Sequence, residues 1–123
     1  MRAHLVRQAA RAQSITYAML ADALDMRPPN RIRQVTQALE ALMAEDAANG
    51  HPFIAALVIS AHRHGLPAPG FFETARALSR FNGEADGPEA IAYHHQALAE
   101  AAAFWGDRAR SGSAQDGARS AHN

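Results

Sequence analysis

Residues 14–59, SITYAMLADALDMRPPNRIRQVTQALEALMAEDAANGHPFIAALVI, decide how this chain folds. Thr16 is a suitable helix N-cap, because its hydroxyl can accept from a free amide of the first turn. Behind it, Tyr17, Leu20, Ala21 and Leu24 recur at helical spacing. Arg27-Pro28-Pro29 must break that helix, since proline lacks an amide proton and restricts the residue before it. Asn30 then caps a second, longer helix over about residues 31–48. Its apolar stripe is Ile32, Val35, Leu39, Leu42 and Met43, with Arg33, Gln34, Gln37 and Glu40 on the solvated side. Asn49-Gly50 supplies a left-handed stop and Pro52 prevents continuation. The apolar run Phe53–Ile59 then reads as a mostly buried strand, with a partner around Gln13–Ile15. A run this short does not reveal its period, and helix is the alternative.

Outward from this stretch, residues 3–12 read as a helix with Leu5, Val6, Ala9 and Ala10 on one side. On the other flank, Gly65–Gly70 is a proline-stiffened loop. It leads into a helix carrying Phe71, Phe72, Ala75 and Leu78 that ends at Asn82-Gly83. Pro88 suits the first position of a last helix running to about Trp105. The stripe expected there is Ile91, His94, His95, Leu98, Ala101, Ala102 and Trp105. Residues 107–123 show no apolar periodicity and are expected to be disordered. The fold class is therefore mainly α: one small domain over residues 1–106, about five helices with a short strand or wing. Residues 14–63 would be a helix-turn-helix or winged-helix-like part and residues 70–106 a helical pair.

Composition narrows the chemistry. A chain of 123 residues has room for one core. It contains no cysteine, which excludes disulfides, thiolate metal sites and cysteine nucleophiles. All twelve basic residues are arginine, and alanine supplies about a quarter of the chain, favouring helix. Arg2, Arg7 and Arg11 interrupt the early apolar runs, so neither a signal peptide nor a membrane partner is expected, and the location expected is cytoplasmic. Net charge is zero but uneven. Residues 1–63 carry seven Arg against five acids, and residues 64–107 two Arg against six. A basic amino-terminal half can face phosphate.

Ile15-Thr16-Tyr17 with Leu20-Ala21 resembles the opening of the DNA-binding domain of alkylguanine–DNA alkyltransferases and alkyltransferase-like proteins. Ile32-Arg33-Gln34-Val35 with Ala38-Leu39 resembles the family's recognition helix. Ile59-Ser60-Ala61-His62-Arg63 is similar to the segment where that family carries proline, cysteine, histidine and arginine. The resemblance spans residues 14–63, with Ser60 in place of the proline. It implies that Tyr17 helps turn a nucleotide out of the duplex and that Arg33 fills the gap, since extrusion costs a few kcal/mol. Ala61 falls at the alkyl-accepting cysteine, so direct alkyl transfer is excluded and non-catalytic lesion sensing is what the resemblance leaves. Residues 65–72 resemble a recurrent segment of bacterial proteins of uncharacterised activity.

The candidate nucleic-acid-binding residues are thus Tyr17, Arg31, Arg33, Gln34, Gln37, His62 and Arg63, with duplex DNA as partner. Arg and Gln make paired hydrogen bonds to guanine and adenine edges, although a solvated helix face has the same composition. Phe71, Phe72 and Trp105 are the candidate interaction surface for a protein partner or a homodimer, because two consecutive phenylalanines on one helix cannot both face a narrow stripe. His62, His64, His94 and His95 could bind a metal or ligand. His94 and His95 diverge by about 100° on a helix, so the expectation is one or both buried and hydrogen-bonded, with no metal and no cofactor. Glu84 and Asp86 read as solvated loop charge. No triad, phosphate loop or zinc motif is present, and the expectation is a non-enzymatic module.

Overall fold

The computed structural model describes the backbone of residues 1–122 and the side chains of residues 1–111. The protein is mainly helical, with one small parallel sheet. The order is α1 (Arg2–Ala10), β1 (Ile15–Thr16), α2 (Tyr17–Ala23), α3 (Arg31–Ala48), a 3-10 helix (Ile54–Leu57), β2 (Val58–Ile59), α4 (Pro69–Ala77) and α5 (Pro88–His122).

The apolar segment Phe53–Val58 is the hub. Each of its six residues is buried, and its 3-10 helix packs against α1, α3 and α5. A segment enclosed from several sides is apolar all round, which is why it showed no strand period. Four of its residues form the 3-10 helix, and only Val58–Ile59 is strand. That strand pairs with the expected region: Ile15 lies opposite Val58 and Thr16 opposite Ile59, in parallel. The short strand therefore closes onto the start of α2 instead of turning back as a hairpin.

The Thr16 side chain accepts from the Met19 amide at 3.1 Å and starts α2 as expected. Asn30 precedes α3, but with φ 64° and no side-chain cap bond; the boundary is right and the device is different. In α3 the buried stripe is Val35, Leu39, Met43 and Asp46. Ile32, expected inside, is 48% exposed, because α3 projects its first turn beyond the body that covers the rest.

α5 begins at Pro88 as expected, but its stripe is rotated. The buried positions are Ala90, His94, Ala97, Ala101 and Trp105, while Ile91 is 56% exposed. Small residues win this face because α1 lies very close: a Cβ on Gly106 would sit 3.0 Å from the Ala9 carbonyl oxygen. Gly106 is thus a close-approach site and not a helix stop. Residues 107–111, expected to lack regular structure, continue α5, with the Arg108 guanidinium 4.7 Å over the Phe104 ring. The backbone of α5 runs on to His122, and of the residues in that expectation only residue 123 lies outside the described residues. No helix among the described residues is long and apolar enough to cross a membrane.

Phe71, Phe72 and Trp105 are corrected from surface to core, being 5%, 0% and 5% exposed. α4 lodges both phenylalanines because its two sides are covered by different neighbours. Phe71 meets Phe53 and His94, and Phe72 meets Phe81. The Trp105 indole donates to the Pro52 carbonyl at 2.9 Å, satisfying its one polar atom.

Candidate nucleic-acid interface

Three local structures converge on one face: the start of α2, the first turns of α3 and the turn after β2. Between them lies a cleft of about 330 Å³ lined by Thr16, Tyr17, Ala18, Ile32, Thr36, Ser60, Ala61, His62 and Ala68. The β1–β2 pairing brings Thr16 beside Ile59 and so places Ser60, the next residue, close to the start of α2. Helix α2 packs on α3 and sets the third wall.

The residues proposed for this face play different parts. Arg33, Gln34 and Gln37 are exposed along α3. Among the described residues Arg33 takes part in no ion pair. Arg31 pairs with Asp22 across the α2–α3 turn. Gln34 is committed inward: its amide donates to the Arg27 and Pro29 carbonyls, both at 3.0 Å. Those bonds fix the proline turn and with it the angle between α2 and α3. Arg27, in that turn, is highly exposed and only loosely paired with Asp25 at 4.0 Å.

Tyr17 lies in the cleft wall, 9% exposed, and its hydroxyl accepts from the Ala68 amide at 2.9 Å. Burial raises its phenol above the ordinary range, with the Ala68 bond acting in the opposite direction. This tyrosine therefore anchors the 65–68 loop and offers its ring to the cleft. His62 and Ala61 are exposed on the lip. Ala61 has no acceptor atom for a transferred group. Arg63 turns away from the face, donating to the Ala85 carbonyl at 2.7 Å and pairing with Asp86 at 3.2 Å. Proximity in sequence to His62 suggested the opposite; the loop before α5 captures it. Asp86, 86% exposed, is a solvated loop charge as expected and also the ion-pair partner of Arg63.

The remaining histidines do not gather. His94 is buried, its Nε2 2.9 Å from the Ala56 carbonyl, and burial holds its imidazole below the ordinary value. His95 is exposed, so the adjacent pair divides between core and surface as expected. Among the described residues no three His, Asp or Glu side chains are grouped to hold a metal ion.

Two features of this face escaped the sequence reading. Ile32 (48% exposed) and Met19 (57% exposed) stand at its edge as exposed apolar side chains. Ile32 fits the helical stripe perfectly well by spacing, and nothing in the spacing tells that the core ends one turn later. Asp46 was missed as a core residue, although it continues the stripe four residues after Leu42. Comparison of this chain with protein-family models, curated proteins and solved structures finds no match.

Proposed function

We propose that the protein is a non-enzymatic, winged-helix-like module that binds duplex DNA through the first turns of α3. The observation that carries this is the state of Arg33. It stands exposed at the amino-terminal part of α3 with no acidic partner among the described residues, beside a turn held by Gln34. A guanidinium on a helix of this kind can reach guanine or phosphate. Gln37, one turn on, adds an amide on the same side, and Arg27 and Arg31 flank the approach. The acidic residues of α5 belong to a helix that packs on α1 and the 3-10 helix.

Two to three phosphate contacts from Arg27, Arg31 and Arg33 give an expected log–log salt slope of about −2 to −3. Fluorescence anisotropy with a labelled duplex at low salt tests the reading. Saturable binding is expected, weakened about tenfold by Arg33→Ala, a loss of roughly 1.4 kcal/mol. Absence of binding at low ionic strength removes the proposal. Lesion sensing is a narrower version resting on the resemblance of residues 14–63. It expects tighter binding to a duplex containing an alkylated guanine than to the unmodified one.

Met19 and Ile32 favour a second reading, in which the same face docks a protein partner or a second copy of the chain. Sedimentation of the free protein separates the two. A dimer dissociated by Ile32→Glu supports protein contact at this face.

A further inference from the structure

A second cleft lies at the other end of α3. That helix has 18 residues and spans roughly 27 Å, so this cleft is remote from Arg33. Gly50, with φ 67°, turns the chain out of α3. His51, Pro52 and Phe53 then descend into the core. Tyr93, Gln96, Ala97 and Glu100 follow one another at i, i+3, i+4 and i+7 on α5 and form the facing wall. Arg80, after α4, completes the lining of this open cleft, which measures about 410 Å³. That is within the usual range for small-molecule sites of about 300–1,000 Å³.

Arg80 is immobilised in this wall. Its Nη1 donates to the His51 carbonyl at 2.5 Å and its Nη2 to the Asp46 carbonyl at 3.2 Å. The guanidinium carbon lies 4.4 Å over the Phe53 ring. A guanidinium has five N–H donors, so two carbonyls leave it with donors to spare and a fixed orientation. Glu100 lines the same cavity, yet among the described residues the two opposite charges form no ion pair. Tyr93 lies within the field of both: burial raises its phenol most, Arg80 acts to lower it and Glu100 to raise it. A brace for the 51–53 segment needs Arg80 alone. It does not account for an exposed carboxylate, a phenol and an amide lining the same cleft as that guanidinium.

We propose that this cleft binds a small zwitterion of the α-amino-acid type, its carboxylate at Arg80 and Tyr93 and its ammonium at Glu100, with Gln96 contributing a donor and an acceptor. Charged hydrogen bonds at both ends orient such a ligand, and neither half alone satisfies both walls. The site is independent of the DNA-binding reading.

The test is a titration of the isotope-labelled full chain with each free L-amino acid to about 10 mM, followed by amide and side-chain NMR shifts; ligands of this size and polarity bind in the millimolar range or tighter. Acetate and methylammonium serve as half-ligands. At least one amino acid is expected to give saturable shifts at Gly50, His51, Arg80 and Gln96. Glu100→Gln is expected to weaken it about tenfold while leaving the weaker acetate shifts unchanged. Glu100 is exposed, so that variant keeps its fold, which its own spectrum verifies. The proposal is overturned if no amino acid saturates, if Glu100→Gln binds equally well, or if acetate binds as tightly as the best amino acid.

Discussion

Replacing Asp46 by alanine should be among the most destabilising single changes in this protein. The side chain is 1% exposed. Its Oδ2 accepts from the Ile54 amide at 3.0 Å and its Oδ1 from the Arg2 guanidinium at 2.7 Å. Ile54 is fully buried at the start of the 3-10 hub, so in the alanine variant its N–H has no partner, at a cost of about 1–3 kcal/mol. Arg2 is about a quarter exposed and water can reach it, so loss of that pair adds only about 1 kcal/mol. Relief of the carboxylate's own burial works in the other direction. The sum is a loss of about 2–3 kcal/mol, which for a domain of this size lowers the melting temperature by about 8–12 °C. Asp46→Asn keeps an oxygen for the Ile54 amide and should lose about half as much. Urea unfolding of Asp46→Ala, Arg2→Ala and the variant carrying both changes, combined as a double-mutant cycle, separates the two contacts. If Asp46→Ala costs less than about 1 kcal/mol, the hub is not held through this carboxylate and the reasoning fails.

His94 gives a pH dependence. Burial lowers its imidazole below the usual 6.5, so the unfolded chain binds the proton first and stability must decline as pH falls through that value. His4 is lowered as well, first by burial and then by Arg7. Urea midpoints at neutral and mildly acidic pH should therefore fall with acidity, and His94→Gln should flatten the slope without abolishing it; an unchanged slope contradicts the assignment. Gly106→Ala, which in an open helix gains about 1 kcal/mol, should show no gain in a thermal melt, because the new Cβ meets the Ala9 carbonyl oxygen at 3.0 Å. Gly106→Val should be clearly destabilising. Tyr17→Phe deprives the Ala68 amide of its acceptor and should cost about 1 kcal/mol, with faster hydrogen exchange at Ala68 as the local readout.

Local grammar was legible where one physical rule acted alone. Thr16 as a cap, Arg31–Ala48 as a helix, Gly50 as a left-handed turn and Pro88 as a first helical residue all depend on backbone sterics within a few positions. The Ile15–Val58 pairing was approached because two apolar segments needed each other. What failed depended on distant partners. The last helix reads as ending near Trp105, and only the arrival of Ala9 against Gly106 shows why a glycine stands inside it. Ile32 and Ile91 belong to good stripes, but whether a stripe is covered along its whole length is decided elsewhere in the chain. Arg63 beside His62 suggested a shared role until Ala85 and Asp86 drew it away. The cavity around Arg80 and Glu100 was invisible for the same reason: its walls come from three separate segments.

The extent of the proposed DNA footprint is set by Glu40. Arg33, Gln37 and Glu40 lie at i, i+4 and i+7 on α3, one exposed line whose far end is acidic. Seven residues of helix separate the Arg33 and Glu40 positions by about 10 Å, close to one Debye length at 0.1 M salt. A carboxylate about 10 Å from a phosphate in water repels it by roughly 0.4 kcal/mol. Two phosphates at that range make the effect about 0.8 kcal/mol, a factor of about four. Glu40→Gln should therefore tighten duplex binding about fourfold at low ionic strength, and the gain should vanish as salt is raised. Arg33→Ala should act in the opposite sense. Anisotropy titrations of both variants across a salt series give the answer. Weaker binding by Glu40→Gln would mean that this carboxylate contacts the nucleic acid or orders the face, and α3 could not then lie along the duplex with its first turns leading.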